Sequence, residues 1–362
     1  MPTLGNFDVR PRRASLPQIR QSLTMTGFVV FDSKSYDRNS LGPLAESAGV
    51  TLRFDEHRLS ENTLPLVRKS VGVCAFVNDQ LGREVIEGLA EAGVKMIAMR
   101  CAGFNNVDLE AAAEHNIRVT RVPAYSPYAV AEHAVALLMA LNRKVIRANS
   151  RVRDMNFTLD GLVGWDMNGK TVGLIGTGKI GKIAGQIFKG FGMRVICWDP
   201  YPDHAWAEAA GCEYVPLEEL GRESDVISIH VPLLPETHHI INAMSIAEFK
   251  RGVYLINVSR GALVDTKALI KALKNGHVAG VALDVYEEEE GKFFEDHSGH
   301  IMQDDKLARL LTFPNVIITS HQAFLTEDAL NEIARVTIEN MRRFEAGEEP
   351  LPDTLLGPSG PV

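Results

Sequence analysis

The chain has 362 residues, 45% of them hydrophobic, and a formal net charge of −8. That length suits two domains with a core each, and the acidic balance argues against a nucleic-acid or membrane-surface role for the whole chain. The longest apolar stretch, near Ala134–Leu141, is far short of the roughly 18 residues that suggest a membrane span. Cys74, Cys101, Cys197 and Cys212 show no C-x-x-C spacing and sit in or beside apolar segments. They read as buried thiols of a reducing compartment, and a cytoplasmic protein is expected.

In chain order, residues 1–26 form a polar, Pro-containing extension with Arg10, Arg12, Arg13, Arg20 and a single acid, Asp8. It reads as a disordered tail or an upstream start before Met25, with an Arg-rich organelle-targeting segment as the alternative. Short apolar runs follow at Phe28–Phe31, Thr51–Phe54, Val71–Phe76 and Met96–Met99, the rhythm of an α/β unit. Ser126-Pro127 is a helix start, with Ser as N-cap and Pro in the first turn. It predicts one long apolar helix over Tyr128–Arg147, buried between domains.

Thr171–Ile175 is a buried, β-branched strand that runs into Gly176, Gly178 and Gly181, a G-x-G-x-x-G turn opening a helix over Lys179–Phe191. These glycines allow the tight turn, the close approach of a pyrophosphate and the packing of helix on strand. The helix N-terminus attracts the anion. A second strand, Arg194–Trp198, ends in Asp199, where a ribose carboxylate is expected. Its charge favours the free hydroxyls of NAD and repels the 2′-phosphate of NADP. Strands near Val226–Ile229, Val253–Asn257, Val278–Leu283 and Val316–Thr319 continue a parallel sheet, and Glu332–Arg343 reads as a helix returning to the first block.

The expected architecture is α/β: two Rossmann-like or flavodoxin-like domains with parallel sheets, the nucleotide domain inserted into a discontinuous substrate domain. Residues 27–126 and 320–346 form the substrate domain, residues 127–319 the NAD-binding domain, and residues 347–362 a flexible tail.

Three patterns lie just past strand ends, where ligands of open α/β sheets bind. In Asn257-Val258-Ser259-Arg260-Gly261, the guanidinium is a planar fork suited to a carboxylate, or a surface ion pair. In Asp284-Val285-Tyr286 followed by Glu287–Glu290, one carboxylate is placed to orient a histidine, although an acidic run is also a common solvated loop. In Ser320-His321-Gln322-Ala323-Phe324, the imidazole suits proton transfer near neutral pH.

These segments, with RCAGFNNVD at Arg100–Asp108, VPAYSPYAVAEHA at Val122–Ala134, GTGKIG at Gly176–Gly181 and HVP at His230–Pro232, resemble the D-2-hydroxyacid dehydrogenases, and most of all their D-lactate-forming members. The resemblance covers about Phe28–Glu345. It implies that Arg260 binds the substrate carboxylate, that Glu289 is the partner of His321, and that His321 is the acid/base. It further implies that Ala102 and Gly103 amides hold the carboxylate from the other side, with Tyr125 and Phe324 lining the pocket. NAD would lie against Gly176, Thr177, Gly178, Lys179, Ile180 and Gly181, with His230, Val231 and Pro232 on the adenosine side. Val258, Ser259 and Arg260 line the crevice, and Asp284 faces the nicotinamide carboxamide.

An aromatic at Phe76 is expected to narrow the pocket toward pyruvate, as does the D-lactate-like insert Gly291–Thr312. The alternatives are bulkier 2-oxo acids or, from another class, an NAD(H)-sensing transcriptional corepressor of the C-terminal-binding type. The insert's Glu295, Asp296, His297, His300, Asp304 and Asp305 also admit a metal site, but such a loop is more often solvated, and no metal is expected. The expected partners are a small 2-oxo or 2-hydroxy acid and a second copy of the chain. A homodimer or homotetramer would form, with Asn156–Lys170 resembling the arm that reaches across.

Overall fold

The β-branched runs Thr171–Ile175, Val226–Ile229 and Val316–Ile318 are strands, whereas Val336-Thr337-Ile338 lies within helix Glu327–Glu345. The computed structural model describes residues 27–361, so the expected extension over residues 1–26 lies outside them. Two seven-stranded sheets result. Across the first, the order is Gly360–Pro361, Leu355–Gly357, Arg118–Thr120, Met96–Met99, Gly72–Ala75, Phe28–Val30 and Leu52–Phe54. Its five N-terminal strands are parallel in a flavodoxin-like order.

The second sheet runs Val316–Ile318, Val278–Leu283, Val253–Asn257, Val226–Ile229, Thr171–Ile175, Arg194–Trp198 and Glu213–Tyr214, all parallel. Its chain order reverses between Thr171–Ile175 and Val226–Ile229, which opens the crevice where such folds hold a nucleotide.

The predicted long helix is corrected. Pro127–Asn142 is helical, with the Ser126 hydroxyl capping the Ala129 N–H at 3.2 Å, but the helix stops there and a second one covers Val145–Arg153. Lys144 takes a left-handed φ of 51° between them. The break is held from outside: Lys144 Nζ donates to Asn142 O at 3.2 Å and to Val163 O at 2.8 Å, and the Asn142 side chain donates to Trp165 O at 2.8 Å and accepts from Trp165 N at 2.9 Å. A tertiary contact therefore overrides a favourable helical sequence.

The last helix, Glu327–Glu345, packs Ala334, Ile338 and Met341 against Leu41 and Ala45 of helix Ser35–Ala48, so the chain returns to the first sheet. The tail is also corrected. Leu355–Gly357 pairs antiparallel with Arg118–Thr120 and buries Leu356, while Thr354 Oγ1 donates to Leu351 O at 2.6 Å. This added strand covers a sheet edge that would otherwise present unpaired backbone groups.

Candidate active site

His321 follows the edge strand Val316–Ile318 and has a left-handed φ of 50°, a conformation that a bulky residue keeps only when its surroundings impose it. Asp284 imposes it. This residue is fully buried at the end of the neighbouring strand. Its Oδ1 accepts from Thr319 Oγ1 at 2.6 Å and Gln322 N at 2.9 Å, and its Oδ2 accepts from Ala323 N at 2.9 Å. His133 Nε2 lies 3.3 Å from Oδ1. Burial alone would raise the Asp284 pKa, but these hydrogen bonds outweigh it and hold the carboxyl below its usual range. Whatever it offers a nicotinamide, the Asp284 carboxylate is engaged by the histidine loop and fastens it.

Glu289 stands where the imidazole needs a partner. Its Oε1 is 2.8 Å from His321 Nδ1, and its Oε2 accepts from Tyr286 N at 3.0 Å. A carboxylate only accepts, so Nδ1 carries a proton and Nε2 is the ring nitrogen left for chemistry. The neighbouring acids are occupied elsewhere. Glu287 pairs with His239 at 2.6 Å, Glu288 pairs with Lys306, and Glu290 is exposed.

Arg260 arrives from the next strand but one. Asn257 Nδ2 donates to Arg260 O at 2.8 Å, Ser259 Oγ donates to Ile229 O at 3.0 Å, and Arg260 Nη1 donates to Ser259 O at 2.7 Å. A Cβ on Gly103 would stand only 2.8 Å from Arg260 Nη2. The glycine thus lets a loop of the first sheet approach the guanidinium directly.

A cavity of about 410 Å³ joins these parts, lined by Ala102, Gly103 and Tyr125 of the first domain, by Arg260, His321 and Phe324, and by Ile180, His230, Val231, Pro232, Val258 and Ser259. Phe76 stands one layer behind this wall. It lies beneath Phe324 and Phe294, with ring centroids 5.8 and 5.5 Å away, and acts on the cavity through them.

Phe76 is itself clamped. Asp79 Oδ2 accepts its N–H at 2.6 Å, Asn106 Nδ2 donates to its carbonyl at 3.0 Å, and the buried Arg100 guanidinium sits 4.9 Å from its ring centroid. Burial pushes the Asp79 pKa up to about 6, opposed by Arg100 and the backbone N–H groups of Leu59 and Phe76.

Phe294 was missed by sequence reasoning. It belongs to the insert, yet its ring lies 5.9 Å from that of His321, and its N–H donates to Ser320 Oγ at 3.2 Å. Arg58 of the first domain anchors the insert by donating to Phe293 O at 3.1 Å and pairing with Glu295 at 2.8 Å. No local motif marks this contact; the paired aromatics Phe293-Phe294 in the polar first half of the insert were the available signal.

At the crevice, Gly176 has φ 100°, and a Cβ there would stand 2.7 Å from the His230 carbonyl carbon. A Cβ on Gly181 would collide with the Gly176 carbonyl oxygen. A Cβ on Gly178, by contrast, would meet nothing within 4 Å. The crevice therefore has space above the N-terminus of helix Lys179–Gly190, whose first N–H groups suit a pyrophosphate.

Asp199 Oδ2 accepts from Thr177 N at 2.6 Å and Thr177 Oγ1 at 2.9 Å. His230, beside Gly176, is pushed down to about 4 by burial and is neutral at physiological pH; its Nε2 lies 2.9 Å from Ser228 Oγ. Shape and donors fit a dinucleotide held by Gly176–Gly181, Asp199 and the His230–Pro232 turn.

The insert's acidic and histidine residues have other work. Asp304 caps helix Asp305–Leu311 and accepts from Tyr286 OH at 2.9 Å, and Asp296 accepts from Ser298 N at 2.9 Å. His297 lies 3.4 Å from Glu295. Among the described residues, no three His, Cys, Asp or Glu side chains are grouped to hold a metal, and no helix is long and apolar enough to cross a membrane.

A nucleotide crevice beside an arginine and a carboxylate-backed histidine is the arrangement expected of a dehydrogenase for a carboxylate-bearing substrate. The family model for the D-isomer specific 2-hydroxyacid dehydrogenase NAD-binding domain matches residues 135–323. The chain is 50% identical to the D-lactate dehydrogenase of Escherichia coli strain K12 over 319 residues, 88% of this chain and 97% of that one. Among solved structures, the pyruvate reductase of Chlamydomonas reinhardtii matches with TM-score 0.85 and 45% identity, over 90% of this chain and 98% of that one. The D-lactate dehydrogenase of Lactobacillus jensenii, solved with NAD+, matches with TM-score 0.74 and 32% identity, over 89% and 98%. The chain belongs to the D-isomer-specific 2-hydroxyacid dehydrogenases and is an NAD-dependent oxidoreductase.

Proposed function

We propose that the protein reduces pyruvate to D-lactate: pyruvate, NADH and a proton give D-lactate and NAD+. The observation that carries this reading is the convergence of Arg260 and His321 on one cavity, with His321 Nδ1 held by Glu289 at 2.8 Å. NADH, when bound along Gly176–Gly181, supplies the hydride for the substrate's carbonyl carbon.

The chain's own residues do the rest. Arg260 binds the substrate carboxylate and polarises the adjacent carbonyl, and the Ala102-Gly103 backbone faces the same carboxylate from the opposite wall. His321, protonated on both nitrogens, donates from Nε2 to the oxygen as negative charge develops there. Glu289 stabilises the imidazolium before transfer and fixes the ring afterwards. Closing the two domains over the substrate would expel water and strengthen these interactions.

Small substrate size is supported by Phe324 in the cavity wall, with Phe76 packed against it and against Phe294. The D-configuration is supported by the relatives' names. The same reading includes a homodimer, supported by the exposed apolar side chains Met155, Phe157, Leu159 and Val163 along the expected arm.

A panel of 2-oxo acids tests the substrate assignment. The kcat/KM for pyruvate is expected to exceed that for phenylpyruvate by roughly tenfold or more, and Phe76→Leu should narrow that ratio by loosening the rings that rest on Phe76. A native enzyme that prefers phenylpyruvate would overturn the assignment in favour of bulkier 2-oxo acids.

A further inference from the structure

Three side chains behind the ribose end of the crevice form a hydrogen-bond chain whose direction is determined by chemistry. Asp203 N lies 3.1 Å from Tyr214 OH, Tyr214 OH lies 2.6 Å from Thr177 Oγ1, and Thr177 Oγ1 lies 2.9 Å from Asp199 Oδ2. The backbone N–H only donates, so the Tyr214 oxygen accepts from it. The ionised Asp199 carboxylate only accepts, so Thr177 spends its one hydroxyl proton there. Tyr214 must then donate to Thr177. Each hydroxyl is both acceptor and donor, an order in which neighbouring hydrogen bonds polarise one another.

The chain ends on a carboxylate secured at both oxygens, since Asp199 Oδ2 also accepts from Thr177 N at 2.6 Å and Oδ1 from Tyr201 N at 2.9 Å. Tyr214 is itself fixed by the edge strand and by the rings of His204 and Trp206, 5.4 and 6.5 Å away.

The same cluster disposes of a cation. Lys182, one turn into the crevice helix, pairs with Asp203 at 2.5 Å and lies 5.4 Å from the Trp206 ring centroid. A 2′-phosphate would therefore meet a fixed carboxylate and a lysine already neutralised.

We propose that Tyr214, acting through Thr177, is a positioning residue that sets the selectivity of this crevice for NADH over NADPH. The proposal rests on the assignment of Asp199 to the adenosine ribose. Removing the phenolic hydroxyl takes from Thr177 Oγ1 the donor that orients it and weakens its bond to Asp199, while the Thr177 and Tyr201 N–H groups still hold the carboxylate, so the grip on the ribose diol loosens without being lost.

The test is fluorescence titration of NADH and NADPH without 2-oxo acid, on the native protein, Tyr214→Phe, Thr177→Val, the double variant and Asp199→Ser, with pyruvate turnover measured in parallel. Tyr214→Phe is expected to weaken NADH binding about three- to tenfold, the range for one lost hydrogen bond. NADPH binding should not weaken in proportion, and kcat at saturating NADH should be retained. The double variant should match Thr177→Val alone, because the two act in series.

Equal weakening of both cofactors, or an unchanged NADH/NADPH ratio in Tyr214→Phe, overturns the proposal. Asp199→Ser separates the reasons. If it too leaves the ratio unchanged, the ribose assignment fails. If it shifts the ratio while Tyr214→Phe does not, only the hydrogen-bond chain fails.

Discussion

Replacing His321 by glutamine is expected to lower kcat for pyruvate reduction by roughly 10²–10⁴-fold, the range for loss of a positioned general acid. Glutamine is close in length and keeps a donor near Glu289, so the 2.8 Å contact to Oε1 can be replaced and the loop need not collapse. What it cannot supply is a proton released at neutral pH. The left-handed backbone at residue 321 is held by Asp284 through Thr319, Gln322 and Ala323, none of which the substitution touches. NADH affinity should therefore remain within about twofold of the native value, since the imidazole is not part of the pyrophosphate cradle. Stopped-flow turnover and NADH titration on the same preparation separate the two quantities. Native-like turnover would remove His321 from the mechanism.

Arg260→Ala carries the second large effect, of a different kind. The guanidinium binds the carboxylate in the ground state and faces the oxygen that becomes negative in the transition state, so both KM and kcat should suffer. A loss of roughly 10²–10³-fold in kcat is expected for one such donor, with KM for pyruvate raised in addition. Arg260→Lys should recover only part of it, because an ammonium lacks the planar fork. The backbone should tolerate either change. Asn257 Nδ2 holds the Arg260 carbonyl and Ser259 Oγ holds the Ile229 carbonyl, independently of the side chain at 260. Kinetics that change KM alone, with kcat intact, would confine Arg260 to substrate binding.

Much of this site is legible in the sequence, because local chemistry dictates it. Gly181 is required because a Cβ there would strike the Gly176 carbonyl oxygen of the same turn, and Gly176 by its own φ of 100°, and Arg260 and His321 each follow a strand end, where side chains converge by the geometry of a parallel sheet. The parts that are not legible depend on partners distant in the chain. Helix Pro127–Asn142 gives way at the left-handed Lys144, where Val163 O and Trp165 bind Lys144 and Asn142, and nothing within the helix announces it. The tail joins the sheet because Arg118–Thr120 offers an open edge, while its own Pro and Gly content suggests only a loop.

The same limit applies around the substrate. Phe76 is recognisable as an aromatic at a strand end, but its position one layer behind the wall depends on Phe324 and on Phe294 arriving from the insert. Asp284 was recognisable as a residue at the site. Its burial beneath the histidine loop follows from the approach of Thr319–Ala323, which only the folded chain displays.

Chiral chromatography of the product formed from pyruvate and NADH tests the central claim most directly. NADH consumption is expected to be matched one to one by D-lactate, and both to fall roughly 10²–10⁴-fold in His321→Gln. Formation of L-lactate or a racemate, or tight NADH binding with negligible turnover, would contradict it.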